Sequence, residues 1–137
     1  MKRECPLPSG AVSLDSAEVY NPAEGVFKTA GKLLIARDFH SATLLADGSV
    51  LVAGGYSHSF DGDADPEWHT MFTSELFHPA TSVSTAAASL ETDRAEHVST
   101  MLNDGEVLIT GGIAGSLELC CDPKPFTVTL ASAELYK

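Results

Sequence analysis

At 137 residues, 44% of them hydrophobic, the chain is long enough for one domain with a real core, and its composition excludes general disorder. Eight Lys and Arg against nineteen Asp and Glu leave a formal charge of −11, which repels phosphate backbones and anionic headgroups, so neither nucleic acid nor a membrane surface is an expected partner. No apolar run reaches the roughly 18 residues that a spanning helix needs, and a soluble protein is expected.

The first residues, Met1 to Pro6, carry two positive charges but lead into prolines and small residues, so they do not read as a secretory signal as they stand. Ser16 to Tyr20 alternates small or polar with apolar side chains and stops at Asn21 and Pro22, a turn opening that cannot continue a central strand. A weaker outer strand is expected over 25–29. His40 to Leu45 and Val50 to Ala53 are short apolar or β-branched runs joined by Ala46, Asp47, Gly48 and Ser49. Asp-Gly between two such runs signals a hairpin with a type I′ turn. The same signal recurs at Asn103 to Glu106. Val83 to Ala88 reads as another outer strand. The Ala-rich stretch Thr85 to Leu90 is ambiguous by composition and is assigned to strand by its place in the repeat. No helical cap is followed by a sustained 3.6-residue period.

That repeat is explicit. RDFHSATLLADGSVLVAGG (37–55) aligns without a gap on RAEHVSTMLNDGEVLITGG (94–112), an offset of 94 − 37 = 57. A second block occurs three times, at Ser16 to Pro22, Thr73 to Pro79 and Ser132 to Lys137, with its glutamate at Glu18, Glu75 and Glu134. The steps are 75 − 18 = 57 and 134 − 75 = 59, so two residues have been added in the second long loop.

Arg-x-x-His, Asp-Gly, the valine-rich run before Gly-Gly, and Ser-Ala-Glu-Leu-Tyr followed by Asn-Pro together resemble the bacterial kelch repeat, the blade also found in galactose oxidase-like propellers. The resemblance covers nearly the whole chain. It implies an all-β protein of about two four-stranded antiparallel kelch-type blades. Strands three and four of one blade fall in 12–30, a complete blade in 37–90, and strands one to three of the next in 94–137. Strands apolar on both faces suit sandwiching between neighbouring blades, and paired glycines suit close backbone approach. The family usually places an aromatic at the outer strand; here Phe27 fills that place once and Ser84 replaces it in the next copy. Because propellers close with typically 4 to 8 blades, the expectation is a partial propeller or one subunit of an oligomeric one, its partners being further copies or the rest of a longer chain.

The segment from Tyr56 to His69 is expected to be a long loop and is the most functional in appearance. Asp61, Asp63 and Asp65 have alternating carboxylate spacing that suits calcium, a hard cation bound by oxygen. The match is partial, since Pro66 stands where a glycine is expected, and a solvated acidic loop is the alternative; otherwise no cofactor is expected. Trp68, flanked by Glu67 and His69, either anchors a sugar ring or a partner protein or packs inward to pin the loop. Arg37, His40, Arg94 and His97 recur with the motif. By resemblance they lie near the central channel and line a pocket, while their repetition favours hydrogen bonds to backbone carbonyls or to Glu18, Glu75 and Glu134.

Cys5, Cys120 and Cys121 are odd in number and have no CxxC spacing, which argues against a zinc site or a complete disulfide framework. Unpaired thiols and a bridge from Cys5 to Cys121 are the two readings. The tyrosines, histidines and cysteines do not match a galactose oxidase-like copper centre, and no nucleophile elbow, zinc helix or phosphate loop is present. The expectation is a non-enzymatic scaffold that holds a protein or carbohydrate in the loops of one propeller face. The alternatives are a piece of a secreted carbohydrate-active or oxidase-like propeller enzyme and a self-assembling structural fragment without ligand.

Overall fold

Asn21 makes the first turn: its side-chain Oδ1 accepts the Ala23 N–H at 3.0 Å and its carbonyl accepts the Gly25 N–H at 2.8 Å, while Pro22 has no N–H to offer. The turn joins Ser16–Asn21 (β1) to Val26–Lys32 (β2), which pair antiparallel as a two-stranded first sheet. The computed structural model describes residues 13–59, 67–118 and 126–137. Among these residues the protein is all-β, made of antiparallel sheets of two to four strands, with no helix.

The central sheet comprises Ser41–Leu44 (β3), Val50–Ala53 (β4), Ser74–His78 (β7) and Val83–Ala86 (β8), hydrogen-bonded in the order β3-β4-β7-β8. Between β4 and β7 the chain leaves the sheet through Tyr56–Ser59 (β5) and Glu67–Thr70 (β6). The third sheet, in the order β13-β10-β9, contains Val98–Met101 (β9), Val107–Thr110 (β10) and Ala133–Tyr136 (β13). Its excursion is Ile113–Glu118 (β11) and Phe126–Thr129 (β12).

Both Asp-Gly turns differ from the type I′ expectation. Only Gly48 and Gly105 have positive φ, at 86° and 90°, whereas type I′ needs it at two successive residues. Gly48 N donates to Leu45 O at 3.0 Å and Leu45 N to Ser49 O at 2.8 Å, the pattern of a three-residue loop that ends on a left-handed glycine. Asp47 Oδ1 accepts from both the backbone N–H and the hydroxyl of Ser49, which holds the aspartate in an ordinary negative-φ conformation. The Ala-rich stretch is strand only as far as Ala86; Leu90 turns inward to the core instead.

That core lies between the central and third sheets. Leu51 and Ala53 of β4 face Val107 and Ile109 of β10, with Leu90 closing the cluster. Fully burying each of the larger aliphatic side chains stabilises by about 1.5–3 kcal/mol. The inner strands β3 and β9 add two polar contacts, Ser41 Oγ to His97 Nε2 at 2.8 Å and Thr43 Oγ1 to Ser99 Oγ at 2.5 Å. Ser84, the residue that replaces an aromatic, is buried and donates to Lys32 O at 3.0 Å, whereas Phe27 is exposed and rests on Tyr20. A hydroxyl thus ties β8 to the first sheet where a ring was expected.

The expected long loop is instead a hairpin with described strands at both ends, and it does not stand alone. His69, Trp68 and Glu67 of β6 pair with Ser116, Leu117 and Glu118 of β11, so the two excursions merge into a fourth sheet of order β12-β11-β6-β5. Four strands bury backbone groups that an isolated hairpin would leave to water. The repeats are therefore joined twice, by the core and by this bridging sheet.

Candidate functional site

Each Arg-x-x-His motif forms a corner where the chain enters an inner strand. Arg37 is fully buried: Nη2 donates to Glu75 Oε1 at 2.6 Å, and Nη1 to the carbonyls of Gly54 and Thr73 at 2.8 and 3.1 Å. The same Glu75 accepts the N–H groups of Leu34 and Ile35 at 2.6 and 3.1 Å. The next repeat copies the arrangement. Arg94 donates to Glu134 at 2.5 Å and to Gly111 O at 2.8 Å, and Glu134 accepts from the N–H groups of Glu91 and Thr92. Of the two readings of the arginines, the geometry displays the clamp, with their charge spent on carboxylates and carbonyls. Glu18, the third copy of the glutamate, is exposed, and its carboxylate makes no hydrogen bond or ion pair among the described residues.

The corner is tight enough to dictate glycine. Asp38 and Tyr56 exchange two backbone hydrogen bonds, at 3.0 and 2.8 Å, and a Cβ on Gly55 would lie 2.4 Å from Asp38 O. Ala95 and Ile113 form the same bridge in the second copy. Between bridge and strand the backbone turns through a left-handed residue that is not glycine: Phe39 at φ 51° and Glu96 at φ 56°. Such a conformation costs on the order of 1 kcal/mol for a residue with a Cβ. Glu96 N donates to Phe39 O at 3.0 Å, so the two corners are stacked.

The ring at this corner begins an aromatic row. Phe39 is 60% exposed and meets Tyr56 edge-on with centroids 6.0 Å apart; Tyr56 meets Trp68 in the same way, also at 6.0 Å. Tyr56 is buried to 1% exposure and its hydroxyl has no hydrogen-bond partner among the described residues. Burial, with a smaller contribution from the Glu96 carboxylate, pushes its phenol above the usual range. Trp68 is half-buried on β6, so it both packs on Tyr56 and keeps part of its ring at the surface. His69 is exposed on the same strand, and Glu67 is paired at its start.

The two histidines part company. His40 is exposed beside Phe39, and it lines, with Arg37, a groove of about 630 Å³ between the first and central sheets. His97 is buried; Nε2 meets Ser41 Oγ while Nδ1 has no partner among the described residues. Burial first, then the charges of Arg94 and His40, pull its pKa down to about 4, so the imidazole is neutral at pH 7.

Sequence reasoning missed Phe39 and Glu96, because nothing in a Phe or Glu announces positive φ, and it read Tyr56 as the start of a long loop, not as a buried ring. It also missed Thr70, whose Oγ1 bonds Asp93 and accepts the Gly115 N–H at 2.8 Å, pinning the bridging sheet to the chain entering the second corner. Asp61, Asp63 and Asp65 lie outside the described residues, as do Cys5, Cys120 and Cys121. Among the described residues no group of three or more His, Cys, Asp or Glu is placed to hold a metal ion.

Comparison with models of known protein families and with curated proteins gives no match for this chain. Its class is set by its own sheets: an all-β protein in which a 57-residue sequence repeat recurs as antiparallel sheets joined by a shared core.

Proposed function

We propose that this chain is a non-enzymatic binding scaffold built of kelch-type propeller blades, holding a protein or carbohydrate ligand at the aromatic corner beside the bridging sheet. The observation that carries the reading is Phe39. Burial within the chain cannot explain it, because the ring is 60% exposed, and backbone ease cannot, because it sits at φ 51°. Its partner in the next repeat is Glu96, so the corner itself does not require an aromatic. Tyr56 and Trp68 behind it fix the ring, and a pre-organised ring with two side-chain torsions loses little freedom on stacking against a sugar or an apolar peptide side chain. His40 and Glu96 supply polar groups at its margin.

The kelch-type reading rests on the motifs and on the agreement between repeat position and strand order, and assembly into a closed ring with further blades belongs to it. Glycan and peptide arrays probed with the wild type and with Phe39→Gly test the binding role. Glycine relieves the backbone strain and gives up one edge-to-face ring contact of about 0.5–1.5 kcal/mol, so the fold is retained within about 1 kcal/mol. Loss of array binding at unchanged melting temperature supports the scaffold. Binding that is indifferent to this change, and to Trp68→Ala, refutes the aromatic corner as its site.

A further inference from the structure

The molecule carries, at its two ends, the separated halves of an interface that it forms once in its middle. In the middle, Leu51 and Ala53 of the central sheet meet Val107, Ile109 and Leu90. Moving by one repeat, the counterparts of Val107, Ile109 and Leu90 are Val50, Val52 and Leu33, and these line the 630 Å³ groove between the first and central sheets. The counterparts of Leu51 and Ala53 are Leu108 and Thr110, on the outer face of the third sheet next to Val98 and Leu135, which are 63% and 49% exposed. Each half is an open surface here, and the sequence relation states what covers it.

The polar groups point the same way. Glu75 and Glu134 each bind an arginine and two backbone N–H groups, and Glu18, at the edge of the groove, has the same place in the repeat with none of the three. Among the described residues β1 pairs with β2 along one edge only, and β13 pairs only with β10, leaving its other edge open. The two strands are near-identical in sequence, Ser16 to Tyr20 against Ser132 to Tyr136.

We propose that copies of this chain associate head to tail: the third sheet of one copy docks into the groove of the next and exchanges its own β13 for the neighbour's β1. The composite sheet then runs β9-β10-β1-β2, four strands in the order that the central sheet already has. Arg94 and the N–H groups of Glu91 and Thr92 pass from Glu134 to the neighbour's Glu18. That exchange replaces like with like, so the covering of the groove and the gain of a fourth strand are what favour association. The inference takes up the assembly part of the scaffold reading and rests on the repeat, not on the ligand.

Sedimentation velocity across a wide concentration range, with circular dichroism to verify folding, provides the test. The wild type is expected to populate dimers and larger species as concentration rises. Val98→Asp blocks one surface and Ala42→Arg the other, so each variant alone is monomeric while an equimolar mixture gives a 1:1 complex and nothing larger. Glu18→Gln weakens association about tenfold, whereas Glu134→Gln, which loosens β13, strengthens it by a similar factor. A wild type that stays monomeric throughout, variants that fail to complement, or two glutamate changes that act in the same direction overturn the proposal. Ligand binding retained by dissociated Val98→Asp, whose aromatic corner is intact, would separate failure of the assembly from failure of the scaffold reading.

Discussion

Replacing Glu75 by Gln removes one charge and almost no volume from a site that is otherwise unchanged. In the wild type its two oxygens receive three donors, Leu34 N–H, Ile35 N–H and Arg37 Nη2, at 2.6, 3.1 and 2.6 Å. An amide has one oxygen, so its NH₂ must face at least one of those donors, and the Arg37 guanidinium, with its side chain 0% exposed, loses its counter-charge. Breaking one side of a buried pair typically costs about 3–5 kcal/mol, because the stranded charge can neither leave nor be hydrated. For a domain of this size that corresponds to a melting-temperature drop of roughly 10–20 °C. The control is Glu24→Gln, which removes the i,i+4 pair with Lys28; both side chains are more than half exposed, and the change should stay within about 0.5 kcal/mol. Thermal melts and chemical denaturation, both followed by far-UV circular dichroism, measure both variants. If Glu75→Gln melts within about 2 °C of the control, the clamp is not what holds the first and central sheets together, and the structural role assigned to the repeated arginines fails.

Three further outcomes follow from the same geometry. His97 titrates near 4 in the fold against about 6.5 unfolded, so the unfolded chain binds the extra proton and stability falls as pH drops from about 6.5 to about 4, by roughly 3 kcal/mol. Glu134 adds to the same acid limb: although burial opposes it, hydrogen bonds from Glu91 N–H, the Arg94 guanidinium and Thr92 N–H keep its carboxyl below the usual range, and that stability is lost on protonation. Denaturation midpoints across pH for His97→Gln should lack the upper part of this limb, and an unchanged profile would remove His97 as its source. Gly55→Ala places a Cβ 2.4 Å from Asp38 O and should cost more than about 2 kcal/mol. Gly48→Ala, also left-handed but with nothing within 4 Å of its Cβ, should cost only about 1 kcal/mol, so equal losses would mean that crowding contributes nothing. Ser82 has φ 59° at the position where the preceding repeat carries Gly25 at φ 70°. Ser82→Gly should therefore raise stability by about 0.5–1 kcal/mol in the same denaturation assay, and a loss would show that the serine makes up for its strain.

The strands were legible because their signals are local. Valine-rich runs, Asn-Pro and Asp-Gly fix where β1, β3, β4, β9 and β10 begin and end, and the 57-residue offset predicts that they recur in the same order. The paired glycines were legible for the same reason, since a residue without Cβ has few other uses at a strand end. The bridging sheet was not legible. Its pairing of β6 with β11 joins residues such as Trp68 and Leu117, 49 positions apart (117 − 68), in segments whose sequences differ between the repeats and carry no shared pattern. Nor did composition reveal the type of the Asp-Gly turns, in which Asp47 and Asp104 accept the backbone N–H groups of Ser49 and Glu106. The candidate site divides along the same line. Arg37 and Arg94 were visible as repeated, and repetition pointed to the clamp. Phe39 was hidden, because its importance comes from φ and exposure, neither of which has a residue-type signature.

The contrast between Phe39 and Glu96 separates what the fold demands from what it permits. Both stand one residue before the histidine, both are left-handed within 5° of each other, and their backbones are joined through Glu96 N and Phe39 O. The strained backbone is thus a property of the corner, set by the neighbouring bridge at Asp38 or Ala95 and by the glycines opposite. Glycine or asparagine would meet that demand at lower cost. A corner that accepts both a carboxylate and an aromatic ring places no packing requirement on the side chain, so the ring at Phe39 adds exposed apolar surface without strengthening the core. Residues that repeat, such as the arginines, bear the fold's constraints. Residues that differ at a repeated, strained and exposed position are free to carry specificity, and that logic makes the aromatic corner a better place to seek a ligand than the motif residues that led to it.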